Sequence, residues 1–593
     1  MRHRSFSLTL LIVIWFLVLL VPTLRTLLQV QLQGSDLMPS FTSRGVLGEG
    51  NVEDFYGRLA VSYPHDAQVQ AKAVEEAYRL AASREAALRE SAPLTQADDG
   101  TVQKRRAQTL QQALANYDAL IQKFPGQAWL IADRLRFMTR SSLDTHVAEE
   151  LEESPHPARL NAPQGRAQQS IYTAADLEQA LAIAQQGQRL EPDNSFFDWI
   201  IAECLFGLER DNEALEVLHQ AAQKPHFDAH VKDDVQAAIA AHQRVRPLLE
   251  EEKLFILAAE LLPHYAQHRH TARLALSAAI QKERAGNHQR ALEIYYDIAR
   301  LGAVMGKEDY TVIGSLVGIA LESAAWAGKA RQLTPAQTPD GAETANGKDN
   351  RQANTKLLAT RFAQYATLHG RSDIAAETMR EAEAANRVQQ IVKEINFNEG
   401  FFGVPLHSFK IIFNLFWGSK LLLTQLLLNL ALWLGLSLVV RYGLSPRREA
   451  VTWLDVTSPL IVSSCVTAAL LTLALFLGGG WRQLGLENSD AQNSQDLIAL
   501  ICNAAIVTPA LVGALLCGCG VIWRQRLNGW RASFHYGVHW YQQMLGALVV
   551  VGSVVYFTLS VAALPLRHGI NAKLDVGVQV GELALLQAQQ KKS

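Results

Sequence analysis

The 593-residue chain is poor in cysteine, its last third carries few charges, and it has none of the short signatures that mark common catalytic centres. The five cysteines are Cys204, Cys465, Cys502, Cys517 and Cys519, and four of them fall in apolar runs near the C-terminus. A disulfide framework would spread an even set through a small secreted domain, so these read as small buried apolar residues. No Walker loop, dinucleotide fingerprint or kinase set occurs, which removes the usual nucleotide-dependent chemistries. Gly314-Ser315-Leu316-Val317-Gly318 is not a nucleophile elbow, because its serine stands one place too early. Between residues 50 and 395 β-branched runs are scarce, which argues against a sheet. The interiors of the last three apolar runs carry no acid. Ion-coupled carriers usually need intramembrane charge, so that class is disfavoured.

What is present is apolar length and an uneven charge balance. Residues 25–405 carry 40 Lys and Arg against 50 Asp and Glu, whereas residues 406–593 carry 13 against 7. An acidic central region disfavours nucleic acid as a partner, since phosphate contacts need clustered basic groups. Residues 5–24 form an apolar run with Arg2 and Arg4 before it and Arg25 after it. That is long enough to span a bilayer and predicts an uncleaved signal anchor over 1–24. A cleavable signal peptide is the alternative, but no Ala-x-Ala site follows.

A second cluster begins near residue 401. Phe409, Phe413, Phe416 and Trp417 share one helical face, and Lys420 sits poorly in lipid. The pattern predicts an interfacial elbow helix over 401–418, with one long tilted helix as the alternative. Four transmembrane helices are expected within 420–566, at 420–440, 457–478, 497–522 and 542–564. Trp453, Trp481, Trp523, Trp530 and Trp540 fall at the ends of these runs, where indoles favour the headgroup level. Arg441, Arg447 and Arg448 follow the second span, and Arg524, Arg526 and Arg531 follow the fourth. The positive-inside rule then places 441–453 and 523–540 with the N-terminus in the cytoplasm. Residues 25–405 and an external tail, 567–593, fall on the other side. The compact anchor and the Ala/Gln-rich helices point to a bacterial inner (plasma) membrane.

Between the first two spans, apolar residues recur at intervals of three and four, which predicts an all-α domain. Residues 25–104 read as a helical linker region with a polar loop at 91–104. Residues 105–395 read as the main domain, with a disordered insertion at 329–355. Small and aromatic residues recur at fixed spacing in this domain: Ala113, Tyr117, Leu120 and Pro125; Ala180, Ala184, Gly187 and Pro192; Gly286, Ala291, Tyr295 and Ile298; Gly370 and Ala375. A further unit fits around Ala202, Ala214, Leu218 and Ala221. Small residues let two helices approach, the aromatic fills the groove, and proline ends the helix. The region resembles a divergent tetratricopeptide-repeat solenoid, although most units lack the Trp-x-x-Leu-Gly opening. The resemblance implies a TPR-like helical solenoid that binds protein partners and does no chemistry itself.

Histidine clusters are the remaining candidates for chemistry. His264, His268 and His270 form the tightest group, and the first two have metal-ligand spacing on a helix face. No glutamate accompanies them as a zinc protease requires, and a solvated helix start accounts for them equally. His226 and His230 repeat the spacing, with Asp228 and Asp233 near. His535 and His539 with Cys517 and Cys519 are a further arrangement, which an interfacial aromatic belt explains more simply. The expectation is therefore no cofactor, no resident metal and no enzyme. The chain is read as a membrane-anchored scaffold whose solenoid binds protein partners and whose bundle contacts the bilayer and other membrane subunits. The alternative is a permease-like or mechanotransmission subunit working with a separate ATPase.

Overall fold

A computed structural model describes residues 12–33, 55–91, 99–140, 173–260, 265–330, 350–394, 406–443 and 530–582, with isolated positions between and beyond them. These residues are overwhelmingly helical and include no β-strand. The helices are α1 (Ile12–Leu20), α2 (Pro22–Gln33), α3 (Phe55–Ser62), α4 (Ala67–Ser91), α5 (Asp99–Lys123), α6 (Ala128–Arg140), α7 (Ala174–Leu190), α8 (Phe196–Gly207), α9 (Asp211–Ala222) and α10 (Val231–Gln243). They continue with α11 (Glu250–Glu260), α12 (Tyr265–Arg284), α13 (His288–Glu308), α14 (Val312–Ala330), α15 (Asn350–Leu368), α16 (Ser372–Glu394), α17 (Leu406–Gly443), α18 (Trp530–Ala562) and α19 (Leu564–Val580). The chain divides into two compact units, each drawn from separate stretches of sequence.

The long-helix unit comprises residues 1–52, 246–255 and 404–572. Among the described residues two helical stretches are long and apolar enough to cross a membrane, Gly418–Arg441 within α17 and Ser533–Val580, which takes in most of α18 and all of α19. They run antiparallel, with Trp433 against Gly546 and Leu426 against Gly552. Gln542 donates to the Ser437 hydroxyl at 2.8 Å across the pair. The spans expected at 457–478 and 497–522 lie almost wholly outside the described residues. Gly520, within the fourth expected span, packs directly beneath the Trp540 ring.

Two departures from expectation have simple causes. The first apolar run is not one straight helix: α1 and α2 meet at 101°. Pro22 begins α2, has no amide hydrogen to give, and its ring clashes with a preceding helical turn. The interfacial helix expected to end at 418 is continuous with the span, and α17 passes unbroken through Lys420. Lys420 and its neighbour Ser419 are buried rather than exposed at a break. Ser419 instead takes part in a polar node. Gln31 donates to the Ser419 hydroxyl at 2.7 Å and to the Phe416 carbonyl at 3.3 Å, while the Tyr556 hydroxyl donates to the Gln31 carbonyl at 2.9 Å. One amide thus joins α2, α17 and α18, with Leu27, Val30, Leu249 and Phe416 packed beside it.

Residues 246–255 also belong to this unit and bring three consecutive glutamates. Arg567, 2% exposed, donates to Glu251 at 2.7 and 2.8 Å and to Glu250 at 2.9 Å. Glu252 accepts both guanidinium nitrogens of Arg246, at 2.6 and 2.7 Å, and also takes the Leu249 amide. Removing one member of such a buried set leaves charge without compensation.

The helical-hairpin unit comprises residues 53–245, 256–403 and 573–593. Neighbouring helices pack in chain order from α3 to α9 and again from α12 to α16, with α9 also against α13 and α10 against α4. Three of its turns share one hydrogen bond. Arg210 N–H donates to Leu205 O at 2.8 Å, Asn287 N–H to Lys282 O at 2.9 Å, and Arg371 N–H to Ala366 O at 2.9 Å. Each closes the last helical turn over a residue at positive φ, respectively Glu209, Gly286 and Gly370. Helices α13 and α14 cross backbone to backbone. A Cβ on Gly302 would stand 2.6 Å from the Gly318 carbonyl, and one on Gly318 would stand 2.5 Å from the Gly302 carbonyl. Gly318 therefore serves helix packing, whereas Gly314 faces the Asp309 side chain. The polar loop expected at 91–104 is shorter on its C-terminal side, because α5 starts at Asp99.

The crossing predicts that Gly318→Ala costs about 1–3 kcal/mol, read as a lowered denaturation midpoint of the full chain in detergent. Glu209→Gly should add about 1 kcal/mol of stability, read as a raised midpoint, since it relieves a left-handed backbone. Arg567→Met should cost about 3–5 kcal/mol, and adding Glu250→Gln and Glu251→Gln should recover much of it.

Candidate functional site

The candidate site lies in the helical-hairpin unit, where the loop between α9 and α10 meets the turn between α13 and α14. Asn194 fixes that loop. Its side-chain oxygen accepts the Asp228 and Phe196 amides at 2.9 and 3.1 Å, and its nitrogen donates to the Asp228 carbonyl at 2.9 Å. Ser195 adds its amide and hydroxyl to the His226 carbonyl, each at 2.9 Å. The loop ends at His230, which has φ +57° and receives a hold on its own amide from Asp228 at 2.7 Å. One ring nitrogen of His230 lies 2.7 Å from Asp233 and the other 3.0 Å from Glu191. Burial works against its charge, but the bonds to Asp233 and Glu191 and the field of Asp228 outweigh it and raise the imidazolium to about 9.

Opposite this loop, Asp309 is buried at the end of α13. It accepts the Tyr265 hydroxyl at 2.8 Å and the Thr311 amide at 2.9 Å. Burial raises its carboxyl to about 6 despite those donors. Gly314 leaves the room that the Asp309 carboxylate fills. A cavity of about 280 Å³ opens between the two loops, with Lys232 and Lys307 on its walls. Its remaining side is formed by the C-terminal segment, through Val580, Ala584 and Gln587.

That segment is held by named bonds. The Tyr310 hydroxyl and the Gln236 amide donate to the Val578 carbonyl at 3.1 and 3.4 Å. Glu582 N–H donates to the Tyr310 carbonyl at 2.9 Å, and the Glu582 carboxylate accepts the Val312 amide at 3.1 Å. A carboxylate at Val312 meets the unsatisfied amides of the α14 N-terminus. Residues 567–593, read from sequence as an external tail, thus include a helix and a seated segment.

The sequence-derived residues divide clearly. Ala113, Tyr117, Leu120, Ala180, Ala184, Gly187, Ala291, Tyr295 and Ile298 are buried between helices, as are Ala202, Ala214, Leu218 and Ala221. Gly187 makes room for the Phe197 ring of the next helix. Pro125, Pro192, Gly286 and Gly370 stand exposed at turns. In α16 the register is one residue off: Ile374 and Thr378 are buried, while Ala375 is half-buried. His264 lies outside the described residues. His268 is fully buried beside Phe196, Trp199 and Phe227, at ring separations of 5.3–6.1 Å, and burial lowers it to about 3. It is a neutral core ring, and no carboxylate or cysteine groups with it or with His270 in metal-ligand geometry among the described residues. His226 and His230 lie in a loop rather than on one helix face. They serve separate partners, since His226 pairs with Glu308 at 3.3 Å.

Sequence reasoning passed over a buried ionic cluster. Glu75, Asp133 and Asp234 converge closely enough to hold an ion. Cations of the chain already answer them. Lys72 pairs with Asp234, and Arg136 reaches Asp234 at 3.2 Å and Asp133 at 3.3 Å. Tyr117 donates to Asp133 at 2.9 Å, so a residue chosen for repeat packing also anchors this cluster. Compared with protein-family models, with curated proteins and with solved structures, the chain matches none.

Stability should report the His230 environment. Its proton is held more tightly in the folded chain than in the unfolded one, whose histidine titrates near 6.5. The stabilisation is full below about 6.5 and is lost as pH rises toward 9, with a ceiling on the order of 3 kcal/mol. His230→Gln should flatten the fall in denaturation midpoint between pH 6.5 and 9.

Proposed function

We propose that the chain is a membrane-anchored scaffold whose helical-hairpin unit, a divergent tetratricopeptide-like solenoid, holds protein partners outside the cytoplasm. The supporting observation is the recurrence of one hairpin turn, closed by the same backbone bond at Leu205–Arg210, Lys282–Asn287 and Ala366–Arg371. Repeated hairpins with small residues at their contacts build wide surfaces that suit recognition better than catalysis. Five spans, at 5–24, 420–440, 457–478, 497–522 and 542–564, fix it in a bacterial inner membrane. The charged short loops then face the cytoplasm, and the long apolar helices support this reading.

One observation favours a second reading. The chain passes between the two units five times, at residues 52/53, 245/246, 255/256, 403/404 and 572/573. So many covalent links suit a subunit that transmits movement to or from an ATPase at the charged segments 441–453 and 523–540, the second of which includes the first turns of α18.

Photo-crosslinking in native membranes separates the two. A crosslinker at exposed Val61 or Leu368 is expected to capture one discrete protein. Capture of an ATPase from 441–453, with nothing from Val61 or Leu368, would replace the scaffold with the transmission subunit. Cysteine labelling should find 441–453 and 479–496 on opposite faces, and labelling from the same side would refute the five-span arrangement.

A further inference from the structure

We infer that the surface formed by Gln236, Tyr310 and the start of α14 is a peptide-docking site, and that the chain's own segment Val578–Glu582 occupies it in place of a partner peptide. The inference deepens the scaffold reading and rests on it for the existence of a partner.

The seated segment defines the chemistry the site accepts. Helix α19 ends at Gly581, whose φ is +88° and whose amide closes on the Gly577 carbonyl at 2.8 Å. This αL turn frees the Val578 carbonyl side of the last helical turn for Tyr310 and Gln236. A Cβ on Gly581 would stand 2.9 Å from the Tyr310 carbonyl, so only glycine permits this approach. The next residue, Glu582, is 6% exposed and pairs its backbone with Tyr310 while its carboxylate caps α14. The site thus reads a helix C-terminus that ends in glycine and is followed by an acid. Backbone capture and helix-terminus recognition of a carboxylate are general modes of peptide binding.

Two further features fit an exchangeable occupant. Three of the four bonds named above are made by the segment's main chain, so a partner with the same Gly-acid ending reproduces them. The neighbouring cavity of about 280 Å³, lined by Lys232 and Lys307 together with Asp228, Glu308 and Asp309, offers a partner space, and among the described residues Val580 of the segment and Ala584 and Gln587 beyond it reach the cavity. The partner we assign is therefore a protein whose exposed helix ends in Gly-Glu or Gly-Asp, the ending that the backbone of Tyr310 and the start of α14 receive.

The test uses the full chain in detergent and a fluorescent synthetic peptide of residues 574–587, with binding read by anisotropy. The resident segment competes in the wild-type chain. Gly581→Val closes the positive-φ conformation and the approach to Tyr310, so it should undock the segment and tighten peptide binding about tenfold. Glu582→Gln keeps an oxygen for Val312 but loses the charge, and should tighten binding about threefold. Adding Tyr310→Phe to either variant should weaken the peptide again. Tighter binding by either variant supports the inference even if the other misfolds. Wild-type affinity in both, or no binding of the peptide by any variant, overturns it. The peptide comes from this chain, so the outcome is independent of whether crosslinking finds a partner.

Discussion

Charge taken out of water has to be answered by charge or by hydrogen bonds, and both units are organised around that requirement. In the long-helix unit the guanidinium of Arg567 is surrounded by Glu250 and Glu251, which arrive from a stretch more than 300 residues earlier in the chain. In the helical-hairpin unit Lys72 and Arg136 meet Asp133 and Asp234, drawn from α4, α6 and α10. Apolar burial supplies the gross driving force, but it tolerates many registers. The ionic sets do not, since a slipped helix would strand a buried charge. They select among the packings that apolar contact alone would allow.

Close backbone approach is the second constraint. Gly302 and Gly318 bring α13 and α14 together, Gly187 admits Phe197, and Gly520 admits Trp540. Each contact places a glycine where a larger residue would hold two helices apart. The same device recurs at the end of α19, where Gly581 lets the chain settle on Tyr310. The paired helices of this unit are thus joined by a polar contact whose named bonds are largely made through main-chain groups.

Periodic features were legible in the sequence, and long-range ones were not. Apolar spacing located the helices, and the residues singled out by small-residue spacing, among them Ala113, Tyr117, Ala180, Ala184, Ala291 and Tyr295, are buried. Such positions are set within one or two turns, which a linear pattern records. The bend at Pro22 was visible as a proline, yet the apolar run around it masked the break. At Ala375 the pattern was displaced by one residue, because Ile374 and Thr378 fill the interior instead. Lys420 seemed to forbid a continuous helix, since a lone lysine is costly in lipid, but its burial beside Ser419 removes that objection. Among the histidines, spacing alone could not distinguish His268, enclosed by aromatic rings, from a ligand. Gln31, Arg567 and Glu582 act through partners hundreds of residues away, and no local signal reports such pairings.

The polar node at Gln31 carries a consequence for how the chain is made. Tyr556 closes that node across 525 positions of sequence. At ordinary rates of synthesis, residue 556 follows residue 31 by roughly 30–100 s. Ser419 follows Gln31 by 388 positions and Tyr556 by 525, so for most of that interval the Gln31 amide has neither, while α2 is already complete. The early helices must wait with water, a lipid headgroup or a chaperone at this amide, and the long-helix unit closes only when its last helix arrives. Its assembly is therefore late and governed by distant contacts, whereas the hairpins of the other unit can form one after another as they emerge.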